Sequence, residues 1–151
     1  MSPPADIRRA RSPDLPAVLA LLEQARLPTA DITGVDEQWM WVLEEQGVII
    51  GVIALERFGS EALLRSLAVA PGYRKRGFGH ELVDRVEESA GADGIKQLFV
   101  LTETAEALFR SLGYAVIDRR CVSESVQMSG EFRSLCPASA ACMSKRLAEP
   151  S

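Results

Sequence analysis

The residues with the clearest chemical potential are three consecutive basic side chains followed by two closely spaced glycines. They are Arg74, Lys75, Arg76, Gly77, Phe78 and Gly79, directly before a strongly helical stretch. Three cations at a helix N-terminus oppose the macrodipole by about 0.3 to 1 kcal/mol each, unless a bound anion compensates. The glycines leave backbone N–H groups open to phosphate oxygens. The pattern predicts an anion site, and a basic turn that merely ends a strand in solvent is the structural alternative.

Two other phosphate motifs fit this turn less well. A P-loop requires Gly-Lys-Ser/Thr, which the sequence lacks. The dinucleotide fingerprint requires a third glycine where Leu82 stands, although Glu103 falls at about the distance of a ribose-binding carboxylate. The turn is therefore predicted to bind phosphate, but through neither of these two motifs.

The first half of the chain predicts one helix and four strands. A proline after Ser12 indicates a helix start, and apolar residues then recur at helical spacing, at Leu15, Val18, Leu19 and Leu22. Runs rich in β-branched and aromatic residues predict strands at 7–11, 39–45, 48–56 and 63–69. Gln46-Gly47 predicts a hairpin turn between two of them, and Pro71-Gly72 ends the last.

The second half predicts two helices and three strands. The first helix covers 79–90 and is expected to stop at Gly91. The second is expected to be capped by Thr102, to bury Phe109 and to end at Gly113. Strands are predicted at 97–101, 114–117 and 140–143, and a long loop at 119–139. Hairpins favour antiparallel pairing and strand-helix-strand units favour parallel pairing, so the fold class is α/β (α+β) with a mixed sheet.

Length and composition limit the classes of protein. The 151 residues, 47% hydrophobic and 25% charged, suit one globular domain over 1–151. With a net charge of −4 and no apolar leader or span, we expect a cytoplasmic protein with no nucleic-acid or membrane partner. Cys121, Cys136 and Cys142 form no Cys-x-x-Cys pair, so a disulfide framework is not expected. A homodimer is left open.

Two motifs resemble those of the GNAT superfamily of N-acetyltransferases. Arg74-x-x-Gly77-x-Gly79 resembles its acetyl-CoA signature, and residues 105–114 resemble its fourth-helix motif. The resemblance runs from about residue 7 to 147 and implies a mixed, mostly antiparallel sheet flanked by helices. It also implies acetyl-CoA as cosubstrate, no metal, and a small-molecule amine as acceptor. The implied cofactor-binding residues are Leu67, Ala68 and Val69 for pantetheine, and Arg74, Lys75, Arg76, Gly77, Phe78, Gly79 and His80 for the pyrophosphate side.

The chain departs from the family pattern at two positions. Phe109 stands where many relatives have a tyrosine acid, and Arg65 stands where many have a glutamate that helps deprotonate the acceptor. Arg65 cannot act as a base, but it can bind an acidic group of the acceptor. Arg65 and Ser66 are therefore the predicted substrate-binding residues, with Arg119, Arg120 and Arg133 as further candidates. Glu103 is a weak candidate for the base.

A finer resemblance concerns arsenic. Residues 101–105 and 132–140 are similar to those of the arsenic-resistance N-acetyltransferase (ArsN-type) family, whose members include enzymes that acetylate arsenic- or phosphorus-containing amino acids. Three cysteines also match the trigonal thiolate site that As(III) favours, although free cysteines usually pack in the core. The alternatives are a non-catalytic acyl-CoA sensor and an arsenite-binding protein.

Overall fold

A computed structural model describes residues 6–27, 29, 39–74, 76–102, 105–118 and 141–147. Its strands are β1 (Asp6–Arg9), β2 (Trp39–Glu45), β3 (Val48–Phe58), β4 (Glu61–Val69), β5 (Gln97–Thr102), β6 (Ala115–Val116) and β7 (Ala141–Arg146). Its helices are α1 (Leu15–Gln24), α2 (Phe78–Ala92) and α3 (Glu106–Ser111). Short 3-10 turns at Ser12–Asp14 and Pro71–Tyr73 precede α1 and follow β4.

The strands form one mixed sheet in the order β1-β2-β3-β4-β5-β7-β6. Strand β4 pairs with β5 in parallel, whereas β1 with β2, β2 with β3, β5 with β7 and β6 with β7 are antiparallel. Gln46 and Gly47 both have positive φ, 52° and 79°, which suits the tight turn of the β2–β3 hairpin. The predicted fold class is confirmed.

The described residues group into two compact units, the first comprising Met1–Leu55 and Ser66–Val86. In this unit α1 packs on β2 and β3 through an apolar cluster that includes Val18, Leu22, Met40, Val52 and Ala68. Helix α2 approaches at Gly51, where an added Cβ would lie 3.2 Å from both Leu43 Cβ and Leu82 Cδ1. A glycine at this position therefore allows the close packing of α2.

An ion-pair group ties β1 to the start of α1 within the same unit. Arg8 donates to both oxygens of Asp14, at 2.8 and 3.0 Å, and to Glu44 Oε2 at 2.7 Å. The hydrogen bonds that Arg8 donates to Asp14 hold the pKa of that carboxyl below its usual value. The Asp14 carboxylate also accepts the Arg11 N–H at 2.8 Å, and so secures the turn before α1.

The second unit comprises Glu56–Arg65 and Glu87–Ser151. Leu63, Phe99, Leu101 and Cys142 form its apolar cluster, with Phe58 and Ile117 packed against it. Elsewhere in this unit, Glu87 accepts hydrogen bonds from Tyr114 Oη at 2.9 Å and from Lys145 Nζ at 2.8 Å. This polar contact joins α2 to strand β7 and to Tyr114, which follows α3.

Several predicted boundaries need correction. Helix α2 continues through Gly91 to Ala92, and the left-handed glycine that follows it is Gly94, at φ 88°. Thr102 Oγ1 accepts the Ala105 N–H at 2.9 Å, but α3 begins later, with Ala105 as its N-cap. Strand β7 is longer than predicted because its residues up to Arg146 continue the pairing with β5.

Other strand ends also differ. Strand β1 ends at Arg9 instead of 11, β3 extends to Phe58, and β4 begins at Glu61. Tyr114 precedes β6, and its N–H donates to Phe109 O at 2.9 Å in the turn after α3. The predicted loop at 119–139 lies outside the described residues.

Candidate functional site

Strand β4 has an irregular backbone conformation at Ser66, which is called the bend of β4 below. Ser66 has φ 61°, in the left-handed region that non-glycine residues rarely adopt. Its side chain is buried, and its Oγ has no hydrogen-bond partner among the described residues. Pairing of β4 with β5 covers Glu61 to Leu64, before the bend. Because such backbone strain costs about 1 to 3 kcal/mol and concentrates at functional sites, Ser66 marks this strand as a candidate site.

The loop after β4 is held by backbone and side-chain hydrogen bonds. Ala70 N–H donates to Ile50 O at 2.8 Å, which fixes the end of the strand, and Tyr73 N–H donates to Ala70 O at 2.9 Å. Arg74 Nε then donates to Val69 O at 3.0 Å. The basic run therefore begins from a fixed end of β4.

The glycine turn before α2 leaves room for a ligand. Gly77 has φ 82°, and a Cβ built on it would meet nothing within 4 Å. Its carbonyl accepts the Glu81 N–H at 3.1 Å, so the helical hydrogen bonds start there. The first N–H groups of a helix have no acceptor within the helix. Phe78, Gly79 and His80 therefore present the positive end of a 15-residue helix, α2, to an approaching anion.

Among the described basic side chains of the turn, Arg76 makes ring contacts and an ion pair. It lies over the rings of Tyr73 and Phe78, with its Cζ 5.5 and 4.9 Å from their centroids. Its Nη2 is 3.6 Å from Glu45 Oε1 on β2, and the Arg76 side chain is 50% exposed. Phe78 is buried and anchors the turn. The two arginines, Arg74 and Arg76, thus present exposed charge beside the helix start, as a pyrophosphate site requires.

The predicted pantetheine stretch follows the bend at Ser66. Ala68 is buried in the cluster with α1, whereas Leu67 and Val69 are half-buried. The side chains thus pack as strand residues, which leaves backbone groups as the means of pairing with a cofactor arm. Pantetheine pairing by this stretch stays a prediction.

Arg65 lies in the second unit and is paired there. Its side chain is 0% exposed, and its Nη1 is 3.5 Å from Glu56 Oε2 on β3. Sequence analysis did not identify Glu56, although one signal was available. A glutamate near the end of an apolar strand, with an arginine in the next strand along the chain, is a candidate cross-strand pair. Acceptor binding by Arg65 and Ser66 stays a prediction.

Phe109 occupies the position of the family's tyrosine acid and is buried. Its ring meets that of Tyr114 edge to face, with the centroids 5.1 Å apart. The neighbouring phenol of Tyr114 donates its hydroxyl hydrogen to Glu87, and so takes part in the polar contact within the second unit. Phe109 therefore has a packing role and supplies no proton.

The structure describes several of the remaining side chains that could bind a ligand or pack in the core. Cys142 is buried, and His80 is exposed in the first turn of α2. Trp39 and Trp41 meet edge to face, with centroids 6.4 Å apart, and Arg9 lies over both rings. The predictions that lie outside the described residues concern Lys75, Glu103, Arg119, Arg120, Arg133, Cys121 and Cys136.

The described residues show neither a metal cluster nor a membrane span. They contain no group of three or more His, Cys, Asp or Glu side chains placed to hold a metal ion. Within the same residues, every helix is too short or too polar to span a membrane.

Comparison with known proteins identifies the family. Residues 36–116 match the family described as acetyltransferase (GNAT) domain. This match covers more than half of the chain, which therefore belongs to the GNAT acetyltransferase family. The predicted superfamily is confirmed.

Similar proteins include curated enzymes and solved structures. An amino-acid acetyltransferase of Pseudomonas fluorescens (strain Pf0-1) is 43% identical over 75 residues, which are 48% of this chain and 17% of that protein. N-acetylglutamate synthase from Neisseria gonorrhoeae, complexed with coenzyme A and N-acetyl-glutamate, superposes with a TM-score of 0.83 at 23% identity, over 99% of this chain and 36% of that one. Rv2747 from Mycobacterium tuberculosis, in complex with CoA and NLQ, superposes with a TM-score of 0.81 at 27% identity. The superposition covers 95% of this chain and 99% of that one.

Proposed function

We propose that this protein is an acetyl-CoA-dependent N-acetyltransferase whose acceptor is the amino group of an amino acid. The observation that carries the proposal is the turn from Arg74 to Gly79, which combines two exposed arginines, a left-handed glycine and the start of α2. The family match supports acetyl transfer, and the curated relatives, of which the chain spans 17%, are amino-acid acetyltransferases.

The proposed reaction is a direct transfer. The acceptor nitrogen attacks the thioester carbonyl carbon, the N–C bond forms, the C–S bond breaks, and coenzyme A leaves. One proton passes from the nitrogen to the sulfur in the overall reaction. Most of the rate enhancement is expected from holding the two substrates in line and from backbone N–H groups that polarise the carbonyl. Glu103 remains the proposed base.

The arsenic assignment is a narrower form of the same proposal. It rests on the sequence resemblance at 101–105 and 132–140, and nearly all of those residues lie outside the described part. The curated relatives support an amino-acid acceptor without supporting arsenic. Arsenic- and phosphorus-containing amino acids are therefore proposed only as members of that acceptor class.

A thiol-release assay tests the proposed function. Acetyl-CoA is incubated with the protein and L-glutamate, L-glutamine, phosphinothricin or the uncharged-chain amine butylamine, with an acceptor-free reaction as the background. We expect free thiol to appear with at least one amino acid and much more slowly with butylamine. Binding of acetyl-CoA without acceptor-dependent release would favour the sensor. Binding of arsenite with no affinity for acetyl-CoA would favour the arsenite-binding alternative, which the burial of Cys142 disfavours.

A further inference from the structure

The basic turn has a partner that the sequence pattern does not indicate, the carboxylate of Glu45 at the end of β2. We infer that Glu45 is a positioning residue of the cofactor site, and that it holds the Arg76 guanidinium in place for the phosphates of coenzyme A. This inference rests on the proposed function and deepens it, because it names a residue that raises cofactor affinity through another side chain.

The carboxylate is the fixed member of the pair. Glu45 is the last residue of β2, and its backbone pairs with Val48 on β3. Its side chain is only 19% exposed, and its buried Oε2 has no hydrogen-bond partner among the described residues. A largely buried carboxylate is costly unless a cation lies near it, so Glu45 favours conformations in which the Arg76 guanidinium stays close.

The guanidinium is the movable member, and three neighbours restrain it. Its Nη2 is 3.6 Å from Glu45 Oε1, and its Cζ lies over the rings of Tyr73 and Phe78. Phe78 is buried, whereas half of the Arg76 side chain is exposed. All four residues belong to the first unit. A carboxylate and two rings thus hold the guanidinium while part of it stays open to solvent.

The length of the contact suits a positioning role. At 3.6 Å it is longer than a hydrogen bond, so charge attraction holds the guanidinium without occupying its N–H groups. When a ligand must immobilise a freely moving arginine, part of the binding free energy is lost to the ordering of that side chain. Because Arg76 is already held, the loss on binding phosphate is smaller.

A carboxylate near a phosphate site also has an opposite effect, since like charges repel. The two effects differ in one respect. Positioning by Glu45 requires Arg76, whereas repulsion acts on the phosphates directly and persists when Arg76 is removed. A double-mutant cycle on cofactor affinity therefore separates them.

The experiment measures the affinity for coenzyme A by calorimetry in the parent protein, Glu45→Gln, Arg76→Gln and the double variant. We expect Glu45→Gln to weaken binding by about threefold to tenfold, which corresponds to the ordering of one side chain. In the Arg76→Gln background the same change should alter the affinity by less than about twofold. A role of Glu45 in folding alone would not produce this dependence on Arg76.

Glu44→Gln is the matched control. It removes one negative charge from the neighbouring residue of β2, whose carboxylate pairs with Arg8 instead. The affinity for coenzyme A should stay within about twofold of that of the parent protein. Unchanged or tighter binding in Glu45→Gln, or an equal change with and without Arg76, overturns the inference while coenzyme A binding stands.

A measurement on the parent protein covers the case in which Glu45→Gln does not fold. Nuclear magnetic resonance relaxation reports the motion of the Arg76 Nε–H bond without ligand, and Arg76→Gln assigns its signal. We expect this bond to move little more than the backbone does, and free rotation would overturn the inference. If the parent protein binds no coenzyme A, the proposed function fails and this inference fails with it.

Discussion

The basic turn from Arg74 to Gly79 and the buried pair of Arg65 and Glu56 carry charge in opposite ways. At the turn, Arg74 and Arg76 are exposed, and the ion pair from Arg76 to Glu45 spans 3.6 Å with half of the arginine in solvent. In the pair, Arg65 is completely enclosed beside Glu56. Exposed cations attract a diffusing polyanion at little cost to folding, whereas an enclosed cation requires a built-in partner. The first arrangement suits contact with a large charged ligand, and the second is costly to break from one side.

The largest effect on stability is expected from the buried pair. Glu56→Leu removes the carboxylate that pairs with Arg65, while the arginine side chain stays buried. Breaking a buried pair from one side costs about 3 to 5 kcal/mol. Urea denaturation of the variant and the parent protein measures the loss in the free energy of unfolding. A loss under about 1 kcal/mol would show that the pair behaves like a surface contact, and the comparison would fail.

A smaller effect on stability is expected at the turn. Arg76→Gln removes a half-exposed ion pair and two ring contacts, so the free energy of unfolding should fall by only about 1 kcal/mol. Affinity for coenzyme A should fall as well, and its dependence on salt should weaken, because one cation near the phosphates is lost. Calorimetric titration at two salt concentrations measures both. Unchanged affinity and salt dependence would mean that Arg76 only packs on Tyr73 and Phe78.

The sequence predicted the turn better than the pair for a physical reason. Basic residues, glycines and a helix start follow one another within six positions, so their chemistry is local. The pair joins Glu56 to Arg65 through the β3–β4 hairpin, whose register depends on a turn that composition does not specify. The bend at Ser66 has no sequence signal either, because serine is ordinary in a strand, and only its φ of 61° reveals the strain.

Helix boundaries show the same limit on a smaller scale. Gly91 was expected to end α2 because a glycine commonly follows the last helical residue. The helix passes through it, and Gly94 adopts the left-handed conformation instead. Both glycines fit the local pattern, so the sequence did not distinguish between them. Strand β7 was underestimated in length because its pairing with β5 is a long-range contact.

The central claim is that the turn at Gly77 binds the pyrophosphate of acetyl-CoA. The most direct measurement is calorimetric titration of coenzyme A into Gly77→Val and into its matched control, Gly47→Val. Both glycines have positive φ, 82° and 79°, and neither Cβ would meet an atom within 4 Å, so the two variants carry similar backbone strain. We predict that Gly77→Val loses measurable binding while Gly47→Val binds like the parent protein, both being folded by circular dichroism. Equal affinity in the two folded variants would contradict the assignment of the cofactor site.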